Sequence, residues 1–387
     1  MKITQLEFTI ASIPYLHRES SFQVQRDGVT EVIVKATTDT GLVGWGESCS
    51  GADVKSVLAA LEALRPFVLG REPWSREAMW HDGFQGAAWT FREGTYNFAW
   101  AGIDTALWDV CGQACGQPLY RLLGGARRSS VNYFYYLPTG TPEVVRAQCQ
   151  EGRARGFSVF YMKVGVDLER ELACVAAVRE TVGPAASIRI DANQAWSVAE
   201  AVRNVEKFDR WNIDFVEQPV PADPIEGMIE FRRHSRVALT ANEGLWRRAE
   251  AWRMIRHRAC DHLCFSPFWV GTLSAFHRLA VTAGEDGIGT CKHTHGEFGL
   301  AAAACHHVLL TLPRETRGHQ QTHTVIQDDI LRERLPIMDG PDWGLLDQPG
   351  LGVTVDESKL ARYNELYQRE GQFLPYQIDL LKKAWVE

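Results

Sequence analysis

Long hydrophobic runs, blocks of basic residues and paired cysteine motifs are all missing from this 387-residue chain. No apolar stretch reaches the roughly 20 residues that a bilayer-spanning helix needs. The opening MKITQLEFTIAS is interrupted by Gln5 and Glu7 before a signal-peptide core forms. With 41 Lys and Arg against 48 Asp and Glu, the net charge is −7 and no basic cluster offers a surface for nucleic acid. The nine cysteines are scattered, odd in number and free of CxxC pairs. They read as thiols of a reducing compartment, not as a disulfide framework. Cys111 and Cys115, four apart on a predicted helix, read as core packing. These absences predict a cytoplasmic protein with neither nucleic acid nor membrane as partner.

A hydrophobic fraction of 45% on a chain of this length supports a substantial core and two domains. The first 50 residues read as strands, ITQLEFTIA, TEVIVKATT and GLVGWGE, with a turn signal at Asp39, Thr40 and Gly41, and so predict a small antiparallel sheet. Helical periodicity follows over Val54 to Leu64 and again over Asn97 to Cys115, where Gly116 is a natural stop. From about Ser129 the pattern becomes strand, helix, strand, helix. Eight apolar runs, VNYFYYL, FSVFYMKVG, SIRID, DFVEQ, ALTANE, HLCFS, GIGTCKH and THTVIQ, predict a parallel barrel somewhat smaller than the roughly 250-residue norm. The tail from about Leu335 returns to turns in PDWGLLDQPGLG and ends in one helix.

Asp191, Glu217 and Glu243 close three of these runs at intervals of 26 residues. One strand plus one helix needs about that length, so the three acids are expected at one rim of the barrel, where their oxygens suit Mg²⁺. Alternation along a strand puts Tyr161 and Lys163 on one face, and Cys291, His293 and His295 on another. Lys163 lies one unit before Asp191 and His293 two units after Glu243, so an amine and an imidazole flank the acids from opposite sides. Such a set suits removal of a proton beside a carboxylate. A divalent cation stabilises the enediolate, lysine takes the proton once its pKa is lowered, and histidine protonates a leaving hydroxyl or the opposite face. By alternation Lys292 faces outward, and Asp261, which begins its strand, lies at the far rim. His306 and His307 in AAAACHHVLL read as helix-face residues.

These motifs, together with GIDTALWDVCGQACGQPLYRLLGG, KVG, DANQAW, EQP, ANE, KHTHGEF and PGLGVTVD, resemble the enolase superfamily over nearly the whole chain. The resemblance implies an α/β fold: a modified TIM barrel, (β/α)7β, over residues 126–334, with an α+β capping domain over 1–125 completed by 335–387. It implies Mg²⁺ held by Asp191, Glu217 and Glu243, with Lys163 as base and His293 as acid or base. VNYFYYLPTG, SPFW, HTHGEF and QTHTVIQDD look most like the glucarate dehydratase branch of the mandelate racemase/muconate lactonizing enzyme type. That similarity implies Tyr133, Tyr135, Asn193 and His323 as substrate contacts, and Tyr161, Ser266 and His295 are added as further positions facing substrate.

Three positions depart from the pattern. Tyr161-Met162-Lys163 stands where Lys-x-Lys is usual, Glu243 replaces the asparagine of glucarate dehydratases as in mandelate racemases, and Ser266 occupies the place of the aspartate that orients the histidine. A hydroxyl there holds the ring by a hydrogen bond without stabilising imidazolium as a carboxylate does. The expectation is an acid-sugar dehydratase acting on a small-molecule carboxylate, working as a homo-oligomer. A racemase or epimerase using Lys163 and His293 on opposite faces is the alternative, and a catalytically silent metal-binding protein is a rival of another class. His17, Arg18 and Arg26 in PYLHRESSFQVQRDG are offered for the distal end of the substrate.

Overall fold

In the computed structural model, residues 1–20, 25–48, 53–87 and 93–373 are described. Ser21 to Val24 of the cap loop, Cys49, and residues 374–387 of the expected cap segment lie outside the described residues. The predicted N-terminal sheet forms from β1 (Ile3–Ser20), β2 (Gln25–Thr38) and β3 (Val43–Ser48), antiparallel in the order β1-β2-β3. The helix Val54–Leu64 follows. Asp53 caps it by accepting from the Ser56 amide, and Val54, Val57, Ala60, Leu61 and Leu64 form its buried stripe. A long helix, Glu93–Cys115, packs against β3. Gly44 and Gly46 permit that approach, because a Cβ at either would strike the Ala106 or Gly102 carbonyl.

The second half is the expected strand-helix alternation. After β4 (Ser130–Asn132), seven parallel strands run in sequence order: β5 (Tyr135–Leu137), β6 (Val159–Lys163), β7 (Ser187–Asp191), β8 (Phe215–Glu217), β9 (Ala238–Ala241), β10 (His262–Phe265) and β11 (Gly289–Lys292). The expected eighth strand at THTVIQ does not form. Residues 315–321, just before it, close the ring, bonding Thr290 O and Lys292 O on one side and Asn132 O and the Phe134 amide on the other. The β-branched run 322–326 instead turns away, and Ile326 bridges Tyr15 of the cap.

The tail holds one short strand that the turn signals hid, β12 (Asp342–Gly344), antiparallel to β4. It ends in the helix Glu357–Glu370, capped by Asp356. This helix lies on β1, with Asn364 Nδ2 donating to Ile10 O at 2.7 Å and Lys35 paired with Glu357 at 3.0 Å. Its buried Leu360 contributes roughly 1.5–3 kcal/mol of apolar burial.

Three buried acids stitch these parts together through backbone amides. Glu47 of β3 accepts from the Phe298 and Ala301 amides at 2.7 and 2.9 Å, at the start of the barrel helix Gly299–Thr311. Asp109 accepts from the Trp45 and Leu351 amides, both at 2.9 Å. Asp104 accepts from the Leu273 amide at 2.7 Å. Burial pushes their carboxyls up to about 8, about 6 and about 7 respectively.

Candidate active site

The strand register determines what meets at the rim. Lys163 closes β6 opposite Asp191 of β7, and Asp191 pairs with Glu217 of β8. Glu243 opens a short 3₁₀ turn just beyond β9. Lys163 Nζ donates to Asp191 Oδ2 at 2.6 Å and to Asn193 Oδ1 at 3.0 Å. The Tyr161 hydroxyl reaches the same Asp191 oxygen at 2.5 Å. Asn193 has φ 43°, a left-handed conformation that asparagine tolerates better than most residues. There its own amide bonds Asp191 Oδ1 at 2.8 Å while Nδ2 donates to Glu243 Oε1 at 2.9 Å. Gln320, from the irregular eighth stave, donates Nε2 to both Glu217 oxygens at 2.9 and 2.8 Å.

Burying several acids together sets their protonation. Burial and the Asp191 charge raise the Glu217 carboxyl well above the usual range, and the same two causes push Glu243 up to about 7. Burial works to lower the Lys163 ammonium, but Asp191, Glu217 and Glu19 outweigh it and hold the pKa above its ordinary value. The lysine is therefore a held cation here.

Among the described residues, no three His, Cys, Asp or Glu side chains are gathered into a ready-made metal cage. Each acid leans on an internal donor instead. The donor set nonetheless fits a hard divalent cation: three carboxylates on adjacent staves, with Glu243 Oε2 buried and without a hydrogen-bond partner.

His293 follows β11 with its amide on Phe265 O at 3.0 Å. Its ring lies 4.3 Å from that of Trp269 and 4.6 Å from that of His295. The Trp269 indole N–H donates to His295 Nε2 at 2.7 Å. His293 Nδ1 and Ser266 Oγ are both buried and unpartnered, so the hydrogen bond expected between them is not formed. Burial first, then His295, Lys163, Lys292 and Arg26, hold the His293 pKa well below its ordinary value.

Other sequence-predicted positions fall elsewhere. Tyr133 bonds His306 Nδ1 at 3.0 Å, Tyr135 bonds Gln148 Oε1 at 3.1 Å, and both face the helix layer. Their neighbours Phe134 and Tyr136 face inward and cluster with Tyr161. His323 is buried 3.6 Å from Asp329 Oδ2, away from the acids. Lys292 is buried against Glu297. Asp261 stays at the far rim with Arg232 and the Leu239 amide. His306 and His307 lie on the helix Gly299–Thr311, but buried, bonded to Gly344 O and Leu351 O.

Of the three cap guesses, Arg26 alone is buried, bonded to Glu19 at 2.5 Å with its charge felt at His293 and His295. His17 is exposed, and Arg18 pairs with Asp27 at 2.7 Å on the surface. Sequence reasoning missed Gln320, Glu19 and the Trp269 contact. SPFW was the one available signal for the last.

The fold and this rim define the class: a barrel whose strand ends carry acids, with an α+β cap built from both ends of the chain. Residues 144–359 match the family described as enolase C-terminal domain-like, and residues 17–124 match the mandelate racemase / muconate lactonizing enzyme N-terminal domain. The chain belongs to the enolase superfamily, in its mandelate racemase / muconate lactonizing enzyme type. It is 28% identical to D-galactarolactone cycloisomerase of Agrobacterium fabrum, over 89% of this chain and 93% of that protein. It is 29% identical to D-galactonate dehydratase of Xanthomonas campestris, over 86% of this chain and 91% of that one. A dipeptide epimerase from Enterococcus faecalis, solved with Mg and the dipeptide L-Leu-L-Tyr, superposes with a TM-score of 0.85 at 25% identity, covering 92% of this chain and all of that one. Dehydratase, cycloisomerase and epimerase thus stand at similar distances. The likeness to glucarate dehydratases rests on the motifs alone. No helix among the described residues is long and apolar enough to cross a membrane.

Proposed function

We propose that this chain is a Mg²⁺-dependent acid-sugar dehydratase, removing the proton α to a carboxylate and expelling the β-hydroxyl as water. Asp191, Glu217 and Glu243 would hold the cation, which supplies electrophilic stabilisation of the enediolate when bound. Lys163 takes the α-proton and later releases it to solvent, Asn193 orients Lys163 while touching Glu243, and His293 gives a proton to the departing β-hydroxyl, which leaves as water, and regains one from solvent. The observation that carries this reading is the pair of contacts made by Lys163 Nζ, 2.6 Å to Asp191 and 3.0 Å to Asn193, at the rim where the acids meet. A partner that loosens Asp191 from Lys163 also frees the base.

Elimination and two-base epimerisation both ask His293 to give up a proton, and the product separates them. Turnover of a panel of aldonic and aldaric acids in D₂O with Mg²⁺ tests the reading. Expected are a keto-deoxy acid product and solvent deuterium exchange at the α-carbon, with both falling at least about 10³-fold in Lys163→Ala. Inverted substrate without keto product would establish the epimerase instead, and unchanged turnover in Lys163→Ala would remove the lysine from the mechanism.

A further inference from the structure

The histidine side of the site has lost one support and gained another. Ser266 Oγ makes no bond to His293, although it begins the short helix Pro267–Val270 that carries Trp269. Trp269 is 1% exposed and fixed from several directions. Its carbonyl accepts from Asn97 Nδ2 of the cap helix at 2.7 Å, Trp246 packs against its ring at 5.9 Å, and Gly271 ends its helix in the left-handed conformation at φ 84°. From this fixed frame the indole lies 33° from the imidazole plane of His293 and bonds His295, which stands edge-on to His293 at 78°.

Because His295 Nε2 accepts the indole proton, a neutral His295 must carry its own proton on Nδ1. Phe98 of the cap helix meets the same ring edge-on at 5.9 Å. Two aromatic rings therefore constrain His293 where the family pattern has a carboxylate. The groups acting on its charge are Lys163 from β6, Lys292 of β11, Arg26 from β2 and His295, of which three are cations. An imidazole so placed readily gives to the departing hydroxyl a proton it has taken from solvent.

We propose that Trp269 is the positioning residue for His293, acting through its ring face and through the indole N–H that fixes His295. The proposal rests on the dehydratase reading, in which His293 assists the departing hydroxyl after Lys163 has taken the proton. Loss of positioning then slows elimination while leaving reversible proton removal in place.

Trp269→Phe retains a ring and deletes the N–H, and His295→Asn deletes the acceptor ring while leaving Trp269 whole. With the panel acid that the enzyme turns over, each variant is expected to lower kcat for keto-acid formation about 10- to 100-fold, with KM within about twofold and α-deuterium exchange retained. In ¹⁵N-histidine-labelled protein without substrate, the His295 signal is expected as the Nδ1-protonated tautomer, with the His293 signal shifting in both variants. Equal loss of exchange and elimination, or no change in either, overturns the proposal, and so does an unmoved His293 signal. Inverted substrate with no keto-acid product from the unaltered enzyme would overturn the dehydratase reading itself, separately from any result at Trp269.

Discussion

Buried carboxylates occur in two places in this protein, and they are held in different ways. At the seam between cap and barrel, Glu47, Asp104 and Asp109 accept from backbone amides, which are fixed by the fold. At the rim, Glu217 and Glu243 accept from side chains, Gln320 and Asn193, and Asp191 accepts from Lys163 and Tyr161 as well as from the nearby Asn193 amide. Amide-held acids fasten chain segments, and removing one leaves helix ends and strand amides unpaired. Acids held by side chains can exchange those partners for a cation by rotamer changes alone. The difference separates seam acids from rim acids more clearly than burial does, since Asp191 and Glu217 are as buried as the seam set.

The largest test of this division is Glu217→Gln. It is expected to cost about 10²–10³-fold in kcat/KM and to abolish the rise in melting temperature on adding Mg²⁺, while leaving the metal-free fold at least as stable because a carboxyl whose ionisation burial opposes is replaced by a neutral amide of the same shape. Isothermal titration with Mg²⁺ and thermal melts check both. A drop in metal-free stability as large as that of a seam variant would break the division.

The seam acids predict a pH dependence of stability. Glu47 has its folded pKa raised, to about 8, so the folded state binds more protons than the unfolded one above the ordinary carboxylate range. Its contribution is complete at low pH and is lost as pH rises toward 8, with a slope of at most about 1.4 kcal/mol per pH unit. Asp104 acts in the same sense up to about 7. Urea melts of Glu47→Gln at pH 5, 6.5 and 8 are expected to show a flatter decline than wild type, with turnover at pH 6.5 little changed. A steeper decline would reverse the assigned sign.

Smaller effects sharpen the boundary. Tyr133→Phe removes a buried bond to His306 and is expected to cost about 1 kcal/mol of stability with no change in kcat. Arg18→Ala breaks an exposed pair with Asp27 and should stay within about 0.5 kcal/mol. A kcat effect in either would bring the outer layer into the site.

The rim acids could be read from the sequence because a strand end, a fixed interval and an acidic side chain are all local features. The facing of VNYFYYL was not, because alternation gives two faces without saying which is inner: Tyr133 and Tyr135, implied as substrate contacts by the resemblance, lie outward, and Phe134 and Tyr136 inward. The last stave was placed too late because β-branched residues in THTVIQ look more strand-like than RGHQQ, yet the closing bonds are made by backbone groups without regard to side chain. Gln320 had no signal at all, since a glutamine bound to a carboxylate looks like any polar loop residue. Glu47 and Asp109 were hidden for a related reason: their partners are amides far along the chain, at Phe298 and Leu351.

The closing helix has a consequence for biosynthesis. In β1, Ile10 receives the Asn364 bond from a residue 354 positions later in the chain. Ser12 and Thr30 likewise contact Gly371 and Phe373 at the very end of the described chain. The antiparallel sheet therefore cannot complete these contacts until residues 357–373 have been made, and a variant lacking that helix should expose the face of β1 on which it lies.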